Sequence, residues 1–259
     1  MSSRARALAV CSALVIALLA VAAFVPLPFS VAYPGPAANV LGKHKGEPVI
    51  TVHGAKARKT SGELRMTAIV ATGPQVSAHL TDVLKGWFRR DEAVMPRDAV
   101  YPVGDNTEEV AKHNAAQMKQ SQDAAVEAAL RSLHRSPKDV RVDLKLADVG
   151  GPSAGLMFTL GIIDTIDGDG AGHDLTGGRS IAGTGTITAD GKVGPVGGVA
   201  LKTQAAHREG AKYFLVPRAE CSDARAELSK DMRLIPVTTL TGAVDALKAL
   251  NSGGRVPSC

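Results

Sequence analysis

Hydrophobic and polar positions are distributed very unevenly along this chain. No charged residue occurs from Ala7 to Gly42, and Ala7–Val25 is an unbroken run of 19 apolar or small residues that stops at Pro26. At 1.5 Å per residue such a run reaches roughly 28 Å as a helix, close to the thickness of a bilayer's hydrocarbon layer. Arg4 and Arg6 precede it and no Lys or Arg follows before Lys43, which places residues 1–6 in the cytoplasm, a single-pass anchor at 7–25 in the cell membrane and the remainder outside. Ala20-Val21-Ala22 also fits a small-x-small cleavage site, so a secretory signal is the competing reading; the run is long for one.

Beyond the apolar run the pattern changes character. Residues 26–46 are rich in Pro and Gly and read as a tether. Pro48–His53 and Leu64–Thr72 are two β-rich runs around a basic, Gly-containing turn, predicting a hairpin. Pro74, Pro96 and Pro102 break the next stretch into short pieces, where Trp87-Phe88 is most simply a core anchor, with a membrane-interface role as the alternative. Thr107–His134 has helical spacing of Ala, Met and Leu, a capping threonine and two first-turn glutamates. Val140–Val149 alternates as a strand, Gly150-Gly151-Pro152 turns the chain, and Ser153–Ile166 reads as a buried apolar helix. Arg179–Thr188 and Lys192–Val196 flank Asp190-Gly191, a hairpin signal. A short helix from Val199 to Glu209 follows, then strands at Tyr213–Val216 and Arg233–Val237, each leading into a helix (Ala219–Lys230 and Thr241–Leu250). This alternation predicts a mixed α/β (α+β) fold in one principal domain over residues 47–250, ending in a flexible tail at 251–259.

Composition removes some function classes. The chain has 259 residues with a formal charge of +5, but its 30 Lys+Arg are interspersed among 25 Asp+Glu without a basic run. Only nine residues are aromatic, too few for the stacking platforms of single-strand nucleic-acid binding. Neither Cys-x-x-Cys nor His-Glu-x-x-His occurs, so no metal or other cofactor is expected. No Gly-x-x-x-x-Gly-Lys-Ser/Thr occurs either, so no ATP use is encoded. Cys11 lies in the apolar run. Cys221 and Cys259 would bridge in an oxidising compartment, but a buried free Cys221 beside a disordered Cys259 is the preferred expectation.

Two features ask for chemistry. Gly151-Pro152-Ser153-Ala154-Gly155 places a hydroxyl between glycines at a strand-to-helix junction, where unpaired N–H groups suit an oxyanion. The plainer reading is an N-cap serine in a tight turn. The string also fits the nucleophile elbow of α/β-hydrolases, which would draw an acid and a base from Asp164 or Asp190 and His207. The second feature is Lys202, which shares a helical face with Val199, Ala205 and Ala206. Among small apolar neighbours its ammonium loses hydration and its pKa falls toward that of a general base; a lysine snorkelling from the helix edge is the plainer reading.

Together with Gly183-Thr184-Gly185-Thr186-Ile187-Thr188 and Gly191-Lys192-Val193-Gly194-Pro195-Val196-Gly197-Gly198-Val199-Ala200-Leu201-Lys202, the serine segment resembles the proteolytic domain of Lon. The resemblance runs from about Pro48 to Leu250, with Leu64–Ala71 and Met118-Lys119-Gln120-Ser121 similar to that domain's early strand and helix. The anchor, Tyr33-Pro34-Gly35-Pro36 and the Gly86–Pro102 stretch resemble in particular the membrane-anchored, PDZ-containing Lon-like proteases of Gram-positive bacteria. The resemblance implies a Ser–Lys dyad of Ser153 and Lys202, with Thr184 helping to hold the lysine and Gly151, Pro152 and Ala154 shaping the serine's turn. It further implies a membrane-tethered endopeptidase acting without ATP on unfolded or extracytoplasmic protein or peptide substrates, and a ring-shaped homo-oligomer. Two departures stand out: Gly150 replaces an aspartate of cytosolic Lon, and only His134–Asp139 stands where those relatives carry the PDZ module. An inactive Lon-like adaptor at the membrane is therefore a second expectation, and an α/β-hydrolase esterase a third.

Overall fold

The computed structural model describes residues 2–103, 106–146 and 150–259. In chain order, helix α1 (Ser3–Phe24) leads to strand β1 (Phe29–Asn39), a miniature hairpin of β2 (Lys43–His44) and β3 (Glu47–Pro48), and strands β4 (Ile50–His53) and β5 (Glu63–Ala71). Helix α2 (Leu80–Phe88), strand β6 (Ala93–Pro96) and the single turn α3 (Arg97–Val100) precede the long α4 (Thr107–Ser132). Strand β7 (Arg141–Leu144), helix α5 (Gly155–Ile166), strands β8 (Ser180–Gly183), β9 (Thr186–Ile187) and β10 (Val193–Gly194), and helix α6 (Val199–Arg208) follow. The chain closes with β11 (Tyr213–Pro217), α7 (Cys221–Ala226), β12 (Arg233–Val237) and α8 (Leu240–Asn251). These elements fall into two compact units, residues 1–33 with 71–110, and residues 34–70 with 111–259.

In the first unit, α1 is 22 residues long, has no buried residue and is long and apolar enough to cross a membrane. The start of β1 pairs antiparallel with β6, from Phe29 opposite Pro96 to Ala32 opposite Ala93. Thr72 fastens to the same strand from the other side, its N–H donating to Val31 O and its Oγ1 accepting from Val31 N–H. The stretch read as a tether is thus largely a strand with Ser30, Val31 and Ala32 buried. Proline and glycine are tolerated there because the sheet uses only part of their backbone. Trp87 and Phe88 are not core anchors: they are 72% and 87% exposed.

The second unit is built on parallel strands in the order β5, β8, β11, β12, with β1 beside β5. Gly35 on β1 allows that approach, since a Cβ there would lie 2.8 Å from Ala68 O. Strand periodicity divides the apolar side chains between the sheet's two faces. Leu64, Ile181, Leu215 and Ile235 join a core with Leu156, Phe158 and Leu160 of α5 and Leu247 of α8. Ala182, Phe214, Val216 and Leu234 join a second core with Val199 and Ala206 of α6. The result is the expected mixed α/β architecture, helices on both faces of a sheet.

Two local expectations fail here. The runs around residues 54–62 do not form a hairpin: β4 pairs antiparallel with β7, and β5 pairs parallel with β8. β5 is an interior strand, and Leu64 and Met66 are almost wholly buried, so it needs partners on both edges rather than a turn-linked neighbour. The predicted strand at 140–149 is seen as Arg141–Leu144, and its residues 147–149 lie outside the described residues. Cys221 and Cys259 form a disulfide, and Val256 is buried with its carbonyl accepting from Arg233 Nη2. The C-terminal segment is therefore anchored to the domain, because the cross-link holds a Gly/Pro/Ser-rich chain against the second core.

Candidate active site

Ser153 sits in the turn that ends at α5. Gly151 takes φ +88°, a conformation that favours glycine, and its N–H donates to Asn114 O at 3.2 Å. Ser121 Oγ on α4 donates to Pro152 O at 3.0 Å. The carbonyl of Ser153 accepts from Gly185 N–H at 3.0 Å and from Thr184 Oγ1 at 3.3 Å, while Leu156 N–H returns a bond to Gly185 O. The serine turn is thereby clamped between α4 and the chain leaving β8. Ala154, not Ser153, occupies the N-cap position of α5, and no side chain caps that helix. The plain N-cap reading of Ser153 therefore loses its bond, and the half-buried hydroxyl is left for other work.

The glycines beside the serine have distinct causes. A Cβ on Gly155 would lie 2.9 Å from Ile187 Cγ2 and 3.0 Å from Ser121 Oγ, so close packing excludes one. A Cβ on Gly150 would meet Asn114 Cβ at 2.7 Å. The aspartate expected from cytosolic Lon is thus incompatible with Asn114 in this arrangement.

Lys202 comes from the opposite face of the sheet. Its helix starts at Gly198, with φ +68° and no room for a Cβ beside Ile69 Cγ2 at 2.9 Å. Val199, Ala205 and Ala206 are buried on the face read from the sequence, and Lys202 with them at 4% exposure. The snorkelling alternative is excluded by that burial. Loss of hydration is the main cause that brings the Lys202 ammonium down to about 8, against which the Glu220 carboxylate pulls upward. Glu220 was missed by sequence reasoning. Its Oε1 accepts from Val196 N–H at 2.9 Å, just before α6, while its Oε2 is buried with no hydrogen-bond partner. Burial raises the pKa of this carboxyl. It falls within the helix expected over Ala219–Lys230 but ends the short 3-10 turn Arg218–Glu220 before α7, and its bond to Val196, distant in sequence, leaves no mark in the local pattern.

Thr184 is fully buried and donates to Ser153 O, so it fastens the backbone of Ser153. Gly151, Pro152, Ser153, Ala154 and Thr184 are brought together by these bonds, and α5 and α6 both pack on β8. Among the described residues no hydrogen bond joins Ser153 Oγ to Lys202 Nζ. The α/β-hydrolase alternative fares worse: His207 Nε2 pairs with Asp231 at 2.9 Å and with Ser229. Asp190 accepts from Thr188. Asp164 is buried, its Oδ1 accepting from Leu175 N–H, and desolvation pushes it up to about 6. None of the three reaches Ser153.

A groove of about 860 Å³ runs along α4 toward this turn, lined by Ala115, Met118, Gln122, Leu144, Leu146 and Gly150 among others. The model of the Lon protease (S16) C-terminal proteolytic domain matches residues 103–249, which include the whole of this arrangement. The chain belongs to the Lon proteolytic-domain family. Lon proteases among its relatives include that of Chloroflexus aggregans, 35% identical over 92 residues, covering 34% of this chain and 10% of the relative. Lon protease of Campylobacter concisus is 38% identical over 94 residues, 35% and 11% of the two chains. Lon protease 2 of Bacillus subtilis is 30% identical over 121 residues, 46% and 21%. The match thus spans about a tenth to a fifth of the length of these relatives.

Proposed function

We propose that this chain is a serine endopeptidase working through a Ser153–Lys202 dyad, held at a membrane by α1 and acting without ATP. The observation that carries the proposal is a buried lysine brought down to about 8, on a helix packed against the strand whose C-terminal exit clamps the serine turn. A neutral Lys202 takes the proton of Ser153 as its oxygen attacks the peptide carbonyl. Backbone N–H groups at the start of α5 receive the developing oxyanion. The lysine then donates its proton to the leaving amine, and water releases the acyl group by the same route in reverse. Thr184 holds the backbone of the nucleophile, and Glu220 sets how readily the lysine sheds its proton. An extended peptide laid in the groove beside Leu144 and Leu146 would lead toward Gly150 and the serine. Arg4 and Arg6 at the N-terminal end of α1, with no Lys or Arg between them and Lys43, favour a cytoplasmic N-terminus with the Lon domain outside.

The test is cleavage of an unfolded, fluorophore-labelled protein without nucleotide, by wild type and by the Ser153→Ala and Lys202→Met variants. Both variants are expected to lose cleavage, and addition of ATP to leave the wild type unchanged. Unaltered cleavage by Ser153→Ala would overturn the dyad. Binding of unfolded protein with no cleavage by wild type would instead make the chain an adaptor.

A further inference from the structure

The first unit carries a surface that the protease chemistry does not use. Helix α2 inverts the usual order of burial: its buried residues are Val83 and Gly86, while Trp87 and Phe88 at its end are exposed. Gly86 is needed where α2 lies on β6, since a Cβ would come within 2.5 Å of Val94 Cγ2. Leu84, 42% exposed, stands three and four residues before the two aromatics, so all three share one helix face. The unit thus packs α2 through its small residues and leaves the large ones out. Soluble domains seldom leave such a cluster uncovered.

Within the same unit, α2 contacts α1. Helix α1 is the one segment among the described residues long and apolar enough to cross a membrane, and its C-terminal end is itself apolar and exposed at Phe24 and Val25. Around the α2 face the side chains turn polar, with Lys85 in the helix and Arg89 just after it, the latter paired with Asp91 and Glu92. An apolar aromatic tip ringed by charge, joined to a hydrophobic helix, matches the boundary between acyl chains and headgroups, where tryptophan is enriched.

We infer that Leu84, Trp87 and Phe88 form a second membrane foot, seated in the interface of the outer leaflet beside the exit of α1. The inference rests on α1 being retained as the anchor. It commits to a lipid surface, and a protein partner or a second copy of this chain would be a different occupant. The foot would hold this unit against the membrane at two points, so that it cannot swivel freely on α1.

Trp87 is the only tryptophan in the chain, which makes its emission a direct probe. The full chain is reconstituted into vesicles of phosphatidylcholine and phosphatidylglycerol, and flotation is scored alongside fluorescence. Expected are flotation with the vesicles, loss of most Trp87 emission with lipids brominated near the headgroup end of the acyl chain, and weaker loss with lipids brominated near its terminus. Phe88→Gln with Leu84→Gln is expected to keep flotation but abolish bromolipid quenching. Flotation with Trp87 unquenched by lipid and open to acrylamide would overturn the foot while leaving the anchor standing. Trp87 shielded from acrylamide yet unquenched by lipid, with shielding that rises with protein concentration, would also overturn it in favour of a second copy. Failure to float would overturn anchor and foot together.

Discussion

Helices α2 and α6 break the ordinary rule of burial in opposite directions. α6 hides a lysine among Val199, Ala205 and Ala206, while α2 sends a tryptophan and a phenylalanine outward. Each violation has a cost: a desolvated ammonium in one case, hydrated aromatic surface in the other. In α6 the cost would be recovered as chemistry on the proposed dyad, because destabilising the charged lysine lets it serve as a base near neutral pH. In α2 it is recovered only if something apolar covers the aromatics. The contrast therefore sets a buried charge that the proposed reaction would use beside exposed aromatics that the proposed membrane foot would cover.

Replacing Lys202 gives the largest expected effect. Lys202→Met should lower cleavage by ~10²–10⁴-fold, the usual contribution of a general base. It should also stabilise the fold by up to about 3 kcal/mol at neutral pH, since the variant no longer buries a disfavoured ammonium. The sign follows from linkage. The folded lysine titrates near 8 against an ordinary 10.5, so between those values the unfolded chain holds the proton more firmly and wild-type stability rises with pH. Chemical denaturation at several pH values should show that rise in wild type and its absence in Lys202→Met. In wild type the pH–rate profile should climb through about 8 as the base becomes neutral. Glu220→Gln should move that limb to lower pH, because the carboxylate favours the ammonium; an unmoved limb would break the link between the two residues.

Next in size is the bridge that ties the C-terminal segment to the second core. Reducing it, or making Cys221→Ser with Cys259→Ser, should cost ~4 kcal/mol in the loop-entropy description, read as a lower midpoint of denaturation. Gly150→Asp should cost about 1–3 kcal/mol through overpacking against Asn114, and Asn114→Gly in the same chain should restore most of it. Recovery would locate the reason for glycine in packing rather than in the reaction. The smallest change belongs to α2: Phe88→Gln should leave stability in detergent within ~0.5 kcal/mol, as for surface positions generally. A large loss would mean that the aromatic face is covered by protein, and the contrast with α6 would collapse.

Sequence periodicity carried furthest where an element's environment is encoded in its own residues. The long helix expected over 107–134 is seen at Thr107–Ser132, and the lysine-bearing helix expected over 199–209 at Val199–Arg208. Asp190-Gly191 joins the β9–β10 hairpin with Gly191 at φ +82°. The candidate dyad was legible for the same reason, since serine, glycines and lysine stand in short contiguous strings. Glu220 was not, and Ser121 was seen only within the Met118–Ser121 resemblance, because each acts through a bond to a residue distant in sequence.

What the chain determined alone was therefore local: the apolar helix at its start, the helical and strand segments of its second half, the buried face that holds Lys202, and the turn that presents Ser153. Only the tertiary structure decided that β5 pairs with β8, that a Pro/Gly-rich stretch becomes β1, that Cys221 meets Cys259, and that Trp87 and Phe88 face outward. Local pattern records which face of an element is apolar. It does not record which distant surface will cover that face, and strand pairing, cross-linking and exposure depend on that second choice.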